Sequence, residues 1–420
     1  MLADANKIPK TKQNIWQCGA KALFLPQNLR RIMYIHEKNN WTDFVWDNEV
    51  IYPLLVKIRY LQGNLLGRMQ NLGFDLKTES TLISLTLDVV DSSKIEGEFL
   101  NPEHVRSSIA NKLGIENAEF VKVSRDVEGM VNVLLDATQN YANPLTEERL
   151  LGWHNSLFSN HFSGLYKIDV AQYRSVGMKV VSGSFGREKV HFIAPEPERI
   201  ENEMHNFLSW FNTSPPLEGV EGRLDPLLKA FIAHLWFVTI HPFDDGNGRI
   251  ARAIMDMQLA RSDDSKIRFY SLSNQLFKEH KHYNNIIEQT QKGDNDITDY
   301  LVWFLNCFER ALFASEKNLE MVLDKAKFWE LHRDKGINDR QRFIINYLYE
   351  HYDKEVGFLR SSSYAKLQKC STDTALRDLK DLVEKGMLKI EDGGKKTNYL
   401  INSPANRRIP KTHSLVCEYP

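Results

Sequence analysis

The chain has 420 residues, about two to three times the usual length of a single domain, so more than one hydrophobic core is expected. Its 54 Lys plus Arg nearly cancel its 55 Asp plus Glu, which argues against a dedicated binder of nucleic acid or another polyanion. With 42% apolar and 26% charged residues, the composition excludes a disordered or fibrous chain.

The cysteines and the N-terminus indicate in which cellular compartment the protein is expected. The cysteines are far apart and form no C-x-x-C pair, so neither a zinc knuckle nor a disulfide framework is expected: Cys18, Cys307, Cys370 and Cys417. The first 13 residues have no apolar signal region, and the longest apolar stretch, residues 230–243, is interrupted by two histidines and is too short to span a bilayer. We therefore expect a cytoplasmic protein with no membrane step.

The first half of the chain is predicted to be helical. Apolar residues recur at three- and four-residue spacing across residues 41–113, and a second helical stretch covers residues 118–141. A helix-start signature at residues 144–148 precedes a further helix. Residues 179–193 interrupt this pattern, because two short β-prone runs flank a Gly-rich turn at 183–186. They predict a β-hairpin inserted in a helical bundle.

Asp225 and Pro226 open a strongly apolar helix, with Asp as N-cap and Pro in the first turn. Because His241 precedes Pro242, this helix should end there and leave the imidazole at a helix-to-loop junction. The next helix is expected to begin after Gly248.

The last third of the chain changes character. Residues 300–313 predict a closing core helix, and residues 315–332 a charged helical connector. From residue 339 the order is helix, short helix, turn, helix, strand, turn and strand, which resembles a winged helix-turn-helix domain.

Residues 241–252 carry the chemistry, and they read His-Pro-Phe-Asp-Asp-Gly-Asn-Gly-Arg-Ile-Ala-Arg. Gly246, Asn247 and Gly248 all tolerate positive φ, so their N–H groups can form an anion-binding nest at a helix start. Arg249 and Arg252 are three apart, so they share one helix face and can hold two phosphates.

Two further side chains complete a transferase site. Asp245, beside the phosphates, is the expected ligand of Mg²⁺, which prefers one or two protein carboxylates plus substrate oxygens. His241 can take a proton from an incoming hydroxyl as general base. A solvent-exposed turn is the alternative for the Asp-Asp-Gly-Asn-Gly run, and the flanking histidine and arginines make that the minority interpretation. The chain lacks P-loop, zinc-protease and EF-hand patterns.

These twelve residues resemble the signature of the Fic family, H-x-F-x-[DE]-G-N-G-R-x-x-R, and every fixed position is filled. The resemblance implies transfer of AMP from ATP to a hydroxyl side chain of a protein, with Mg²⁺ as cofactor. It implies His241 as the base, Asp245 as the metal ligand and the following residues as the phosphate site. It also makes the hairpin around Val190 and His191 a flap that positions the target segment, and places Tyr283 and Gln291 beside the adenine.

A second match lies upstream. Residues 92–97, Ser-Ser-Lys-Ile-Glu-Gly, are similar to the [ST]-x-x-x-E-[GN] inhibitory helix of Fic proteins, with Ser92, Glu96 and Gly97 at its fixed positions. A glutamate at the negative end of a helix dipole is unfavourable unless a cation meets it. We expect Arg252 to be that cation, which would withhold its guanidinium from the γ-phosphate. A solvated surface glutamate is the alternative.

Together these patterns predict a mainly α protein: a helical Fic core with an inserted β-hairpin flap, a helical N-terminal domain and a C-terminal winged helix-turn-helix. The predicted bounds are 1–115 for the N-terminal domain with its inhibitory helix, 116–313 for the catalytic core, 314–338 for the connector, 339–402 for the winged helix and 403–420 for a tail.

The sequence of the predicted winged helix domain says less about function. Residues 339–420 contain 15 Lys plus Arg and 11 Asp plus Glu, which is only mildly basic. Four acidic residues along its third helix would repel DNA phosphates: Asp373, Asp378, Asp381 and Glu384. DNA binding and protein docking both stay open.

We thus expect an autoinhibited, magnesium-dependent protein adenylyltransferase that modifies Ser, Thr or Tyr of a target protein, with the chain itself among the candidates. Two alternatives remain. A phosphodiester hydrolase could use the same site with water as nucleophile to remove AMP from proteins. A transcriptional regulator could use the core to sense nucleotide and the winged helix to read DNA. The target and the oligomeric state, a homo-oligomer included, are left open.

Overall fold

The computed structural model describes residues 17–18, 33–115, 122–164, 166–183, 187–213, 224–350, 358–393 and 396–403. The tip of the predicted flap turn and most of the predicted tail lie outside these residues. The chain divides into two compact units, Met1–Ser315 and Glu316–Pro420. The mainly helical fold class is confirmed, whereas the predicted domain bounds stay predictions.

The first unit is built from helices, a short 3-10 helix at Ile35–Glu37 and small antiparallel strand pairs. The first five α-helices are α1 (Asn48–Gln70), α2 (Phe74–Ile95), α3 (Pro102–Lys112), α4 (Arg125–Gln139) and α5 (Glu147–Leu157). The later ones are α6 (Pro197–Asn212), α7 (Pro226–Ile240), α8 (Asn247–Asp263), α9 (Leu272–Lys278), α10 (His280–Gln291) and α11 (Thr298–Leu331), of which residues 316–331 belong to the second unit. The strands are β1 (Gln17–Cys18), β2 (Phe162–Ser163), β3 (Tyr166–Lys167), β4 (Lys179–Ser182) and β5 (Lys189–Ile193).

Helix α7 lies at the centre of the first unit. Every residue from Leu227 to Ile240 is buried, as expected of a helix that is apolar on all sides. Asp225 caps its start by accepting from the Leu227 N–H at 2.7 Å, and Pro226 opens its first turn. Because α8 packs along α7, the loop of residues 241–246 between them is held at the edge of the core.

The inserted hairpin is present. β4 and β5 pair antiparallel, with a register shift between Val180 and Val181, and β1 pairs with the other edge of β4. His36 ties the hairpin to the core, because its Nε2 lies 2.8 Å from the carbonyl oxygen of Ile193.

Two helix bounds differ from the prediction. α8 begins at Asn247, two residues before the predicted start, because Gly246 with φ 81° already serves as its N-cap. The predicted closing helix and connector form one continuous helix, α11, because the charged residues after 313 keep apolar partners in register, with Leu319, Val322 and Phe328 buried.

The second unit contains α12 (Asp339–Glu350), α13 (Ser361–Leu367), α14 (Thr372–Glu384) and a hairpin of β6 (Leu388–Gly393) and β7 (Lys396–Ile401). Leu359 bridges to Tyr399 beside that hairpin. The assignment of these elements to the winged helix class stays a prediction. Across the described parts of both units, no helix combines the length and apolar composition that crossing a bilayer requires.

Asp378 on α14 corrects an expectation. Its carboxylate is 5% exposed and accepts from Tyr364 Oη at 2.8 Å and from Arg340 Nε at 3.0 Å. Asp381 is likewise bonded, to Gln341 and Lys385. The buried Asp378 therefore stabilises the unit and is not part of an acidic surface, whereas the Asp381 side chain is still 38% exposed.

Candidate active site

The C-terminus of α7 fixes the orientation of His241. Its backbone is left-handed (φ 52°, ψ 59°), and its N–H donates to the Phe237 carbonyl at 3.0 Å. Nδ1 lies 3.3 Å from the Val238 carbonyl, which can only accept, so Nδ1 carries the proton. Nε2 therefore keeps its lone pair toward the cavity that His241 lines. Burial and the nearby Arg174 cation lower the pKa of His241 to about 4, so the imidazole is neutral at pH 7.

The loop before α8 is braced from within. Asn247 Nδ2 donates to the Phe243 carbonyl at 2.8 Å, and the Phe243 N–H donates back to Asn247 Oδ1 at 3.0 Å. Gly246 is required by its positive φ and because a Cβ there would lie 2.7 Å from the Phe158 ring. Only Gly246 of the predicted nest has positive φ, since Asn247 and Gly248 already belong to α8. The predicted anion site therefore has the form of a helix N-terminus and not of a three-residue nest, and its role stays a prediction.

His154 supports the same loop. Its Nδ1 accepts from the Ala171 N–H at 3.1 Å, so its Nε2 carries the proton that reaches the Asp245 carbonyl at 3.2 Å. The ring stacks on Phe243 with centroids 4.2 Å apart, and burial lowers its pKa to about 4. A neutral, fully bonded histidine therefore fixes the position of Asp245.

Asp245 faces the cavity with its side chain 36% exposed. Oδ1 accepts from the Gly246 N–H at 2.6 Å, and Ser163 Oγ donates to Oδ2. Each oxygen retains a further lone pair, so the carboxylate is oriented and can still bind a cation. This donor fits Mg²⁺, which takes one or two carboxylates and fills its shell with phosphate and water oxygens.

Arg252 is held by the end of α2. Its side chain is 1% exposed, and it donates from Nε to Ser92 Oγ at 2.8 Å, and from NH2 to the Ser92 carbonyl at 2.9 Å and to Glu96 Oε1 at 2.8 Å. Burial opposes its charge, but the Glu96 carboxylate and the Tyr283 hydroxyl outweigh this and raise the pKa of Arg252. A Cβ at Gly248 would overlap Glu96 Oε1, so only glycine lets the glutamate approach α8 this closely.

Arg249 has its own acidic partner, which the sequence analysis missed. Its NH1 donates to both oxygens of Glu98, at 2.9 and 2.7 Å, and its guanidinium lies over the Phe158 ring, 4.9 Å from the centroid. Burial raises the pKa of Glu98 although the Arg249 cation opposes that rise. Arg252 lines the cavity and Arg249 does not, and the role of the two arginines as ligands of two phosphates stays a prediction.

The turn at Gly97 positions both Glu96 and Glu98. Gly97 has φ 82°, its N–H donates to Lys94 at 3.0 Å, and the Glu98 N–H donates to Ser93 at 3.0 Å. These bonds define a Schellman motif, in which glycine is favoured at the left-handed position. Glu96 and Glu98 flank this glycine, and that pattern in the sequence could have identified the second one.

The cavity joins these groups to the predicted nucleoside side. It is lined by residues of α2 and its C-cap, both flap strands, α7, the 241–246 loop, α8 and α10: Ile95, Glu96, Val180, Val181, His191, Phe192, Val238, His241, Asp245, Asn247, Gly248, Arg252, Tyr283, Asn284, Ile287, Glu288 and Gln291. Tyr283 and Gln291 thus share one space with His241. The Tyr283 hydroxyl is 2.8 Å from His234 Nε2, and Gln291 Nε2 is 3.3 Å from Thr239 Oγ1. His234 is a buried, bonded core group, since its Nδ1 also contacts Tyr300 Oη at 3.0 Å.

The flap residues divide between two environments. His191 lines the cavity, and its ring contacts Glu288 Oε2 through Nδ1 and Ser182 Oγ through Nε2, each at 2.6 Å. Val190 is 39% exposed and does not line the cavity. Glu288, on α10, therefore links the flap to the wall opposite the motif, a contact that no local sequence pattern signals.

Parts of this chain are similar to known proteins. A model of the Fic/DOC family matches residues 144–259, and a model described as a domain of unknown function, DUF4172, matches residues 34–115. A protein adenylyltransferase Fic from Aedes aegypti is 25% identical over 230 residues, 53% of this chain. One from Nematostella vectensis is 22% identical over 232 residues, 54% of this chain. A crystal structure of a Fic family protein from Desulfovibrio desulfuricans G20 aligns over 84% of this chain and 96% of its own, with 19% identity and a TM-score of 0.48.

The protein is thus mainly helical, and its candidate site contains a histidine and an arginine at the N-terminus of a helix. Residues 144–259 match the Fic/DOC family model, and they contain the signature at residues 241–252 that predicted this resemblance. The chain spans less than half the length of the two adenylyltransferases, 40% and 47%.

Proposed function

We propose that this chain is an autoinhibited, magnesium-dependent protein adenylyltransferase that transfers AMP from ATP to a Ser, Thr or Tyr hydroxyl of a target protein. The observation that carries the proposal is the placement of one neutral, oriented imidazole in the same cavity as a helix N-terminus and Arg252. The names of the related Fic proteins support the same reaction.

His241 starts the reaction as general base. Its Nε2 accepts the proton of the target hydroxyl while that oxygen attacks the α-phosphorus of ATP. The bond between the α-phosphorus and the bridging oxygen breaks, and pyrophosphate leaves with the electron pair. The N-terminal N–H groups and dipole of α8 stabilise the negative charge on the phosphates.

Asp245 would hold the magnesium ion, which supplies charge neutralisation for the phosphates when it is bound. The bonds from Ser163 and Gly246 hold the carboxylate ready for this contact.

The flap hairpin would receive the target. An extended segment can add to the edge of a sheet through main-chain hydrogen bonds. β1 of this chain already pairs with β4 in this way, at Gln17 with Val181 and Cys18 with Val180. The flap edge is therefore competent to bind a strand, and the chain itself remains a candidate target.

Autoinhibition would act through Glu96. Its ion pair takes up the guanidinium of Arg252 that would otherwise hold an outer phosphate. The carboxylate also adds negative charge to the space that an anionic nucleotide must enter. ATP would then bind weakly or in a geometry that does not react.

The test is mass spectrometry of the purified chain incubated with Mg-ATP. We expect Glu96→Gly to gain AMP at least about tenfold faster than wild type, as the release of one inhibitory contact allows. His241→Ala in that background should reduce transfer by about 10²- to 10⁴-fold, the usual contribution of a general base.

The matched control is His205→Ala, since His205 is exposed on α6, outside the cavity. It should leave the rate unchanged. Equal, weak labelling by wild type, Glu96→Gly and the His241 variant would contradict the proposal.

A further inference from the structure

Arg174 lies between β3 and β4 and is 2% exposed. Its guanidinium donates to three main-chain carbonyls: His241 from Nε at 2.8 Å, Val176 from NH1 at 2.8 Å and Pro195 from NH2 at 2.6 Å. Its own N–H donates to the Pro242 carbonyl at 2.9 Å. One side chain therefore meets the backbone of three separate segments.

Those segments carry the groups that the proposed reaction uses. His241 and Pro242 begin the motif loop, Val176 leads into flap strand β4, and Pro195 follows flap strand β5. The two flap strands are joined at the same end by the Ala194 N–H, which donates to the Met178 carbonyl at 3.0 Å. Arg174 thus connects the base of the flap to the backbone of the imidazole.

We propose that Arg174 is a positioning residue, which holds His241 in its left-handed conformation and fixes the distance from that histidine to both strands of the flap. The inference rests on the proposed function, because it assigns the flap to the target and His241 to the proton. It concerns a residue outside the motif, and no local pattern in the sequence indicates it.

The conformation of His241 explains why such a residue is needed. A residue before proline is sterically biased toward extended conformations, and a non-glycine residue rarely has positive φ. His241 is in this unfavourable state, so neighbouring contacts must hold it there. A planar guanidinium with donors in fixed directions can bond three carbonyls at once, which the single ammonium of lysine does with less directional control.

The experiment compares Arg174→Met and Arg174→Lys with a matched control in the Glu96→Gly background. Arg261→Met is the control, since Arg261 also bonds three carbonyls, those of Tyr141, Asn143 and Phe211, at the far end of α8. Arg261 does not line the cavity.

We expect Arg174→Met to lower kcat for AMP transfer by about 100-fold, the scale of a displacement of about 1 Å between reacting groups. The KM for ATP should stay within about twofold, because the phosphate contacts are untouched. Arg174→Lys should recover part of kcat, and Arg261→Met should retain it. An unchanged kcat in Arg174→Met, or an equal loss in Arg261→Met, would overturn the proposal.

Hydrogen exchange followed by mass spectrometry provides a readout that does not depend on catalysis. Arg174→Met should speed amide exchange in the flap strands, 179–182 and 189–193, and in the 241–246 loop together, with α4 unchanged. Faster exchange in neither or in only one of the two segments would contradict the positioning role. If the Glu96→Gly parent transfers no AMP, the proposed function fails, and the exchange result still decides whether Arg174 joins flap and loop.

Discussion

The strained histidine is the key feature at the scale of single residues. A left-handed, non-glycine conformation costs on the order of 1–3 kcal/mol. His241 keeps it because its N–H, carbonyl and Nδ1 are each bonded, to Phe237, Arg174 and Val238. This left-handed conformation serves the proposed reaction, because it directs the other ring nitrogen, Nε2, away from these partners and toward the cavity.

The pH dependence of transfer should report the environment of His241. Its pKa is lowered to about 4 by burial and by Arg174, while the Val238 carbonyl and the Asp245 carboxylate favour the protonated form. The neutral imidazole is the active form, so lowering the pKa keeps it active at lower pH. We expect kcat/KM of Glu96→Gly to stay constant between about pH 7.5 and 5.5, whereas an unperturbed imidazole with a pKa near ~6.5 would lose about tenfold.

The affinity for Mg-ATP, measured by calorimetry at both ends of this range, is the control for titration of the nucleotide. A midpoint between pH 6 and 7 with unchanged affinity would show that His241 is not held neutral.

At the scale of elements, the end of α2 faces the start of α8. Two carboxylates that are two residues apart, on either side of Gly97, meet two arginines that are three residues apart on a helix. The Schellman turn makes this match, because the left-handed glycine reverses the chain directly after the helix. Each of the two motif arginines is therefore paired with a glutamate. Breaking one of these ion pairs leaves the other ion pair intact.

The second ion pair should limit the affinity for nucleotide. In the Glu96→Gly background, Glu98→Gln removes the charge that holds Arg249 and should tighten binding of Mg-ATP by about tenfold, within the usual range of coupling between sites. Calorimetry measures this directly.

Glu103→Gln is the control for loss of one negative charge, because Glu103 is exposed in the first turn of α3. It should leave the affinity unchanged. The same affinity in Glu98→Gln as in its parent would mean that the Arg249 pair does not oppose nucleotide binding.

Local sequence patterns correctly predicted the structural features that depend on residues close together in the chain. The N-cap at Asp225, the helix end before Pro242 and the hairpin at 179–193 follow from turn chemistry and periodicity, and the structure contains them. The start of α8 was wrong by two residues, because a helix can incorporate a Gly-Asn-Gly run once Gly246 caps it. Glu98, His154 and Arg174 were missed since all of their side-chain partners named above except Val176 lie 17 or more residues away in sequence.

At the scale of the whole molecule, the chain has separate cores. The core of the second unit includes Ile344, Leu379 and Tyr399, whereas that of the first unit includes Leu85, Phe237 and Ile254. Because no residue in the part of the chain that the structure describes belongs to both clusters, a substitution inside one core should act on that unit. Asp378 offers a test, since its carboxylate joins Asn338, Arg340 and Tyr364.

Asp378→Ala should destabilise the second unit by about 2–4 kcal/mol, because it removes several hydrogen bonds and leaves the buried Tyr364 hydroxyl without its acceptor. Hydrogen exchange in α12 and α14 should accelerate, while exchange in α7 and α8 and AMP transfer by the Glu96→Gly parent stay the same. Asp373→Ala is the control, because Asp373 is an exposed acid on the same helix and should change stability by less than about 0.5 kcal/mol. Equal acceleration in both units after Asp378→Ala would show that the two cores unfold as one, and the acidic hub would then support the catalytic unit as well.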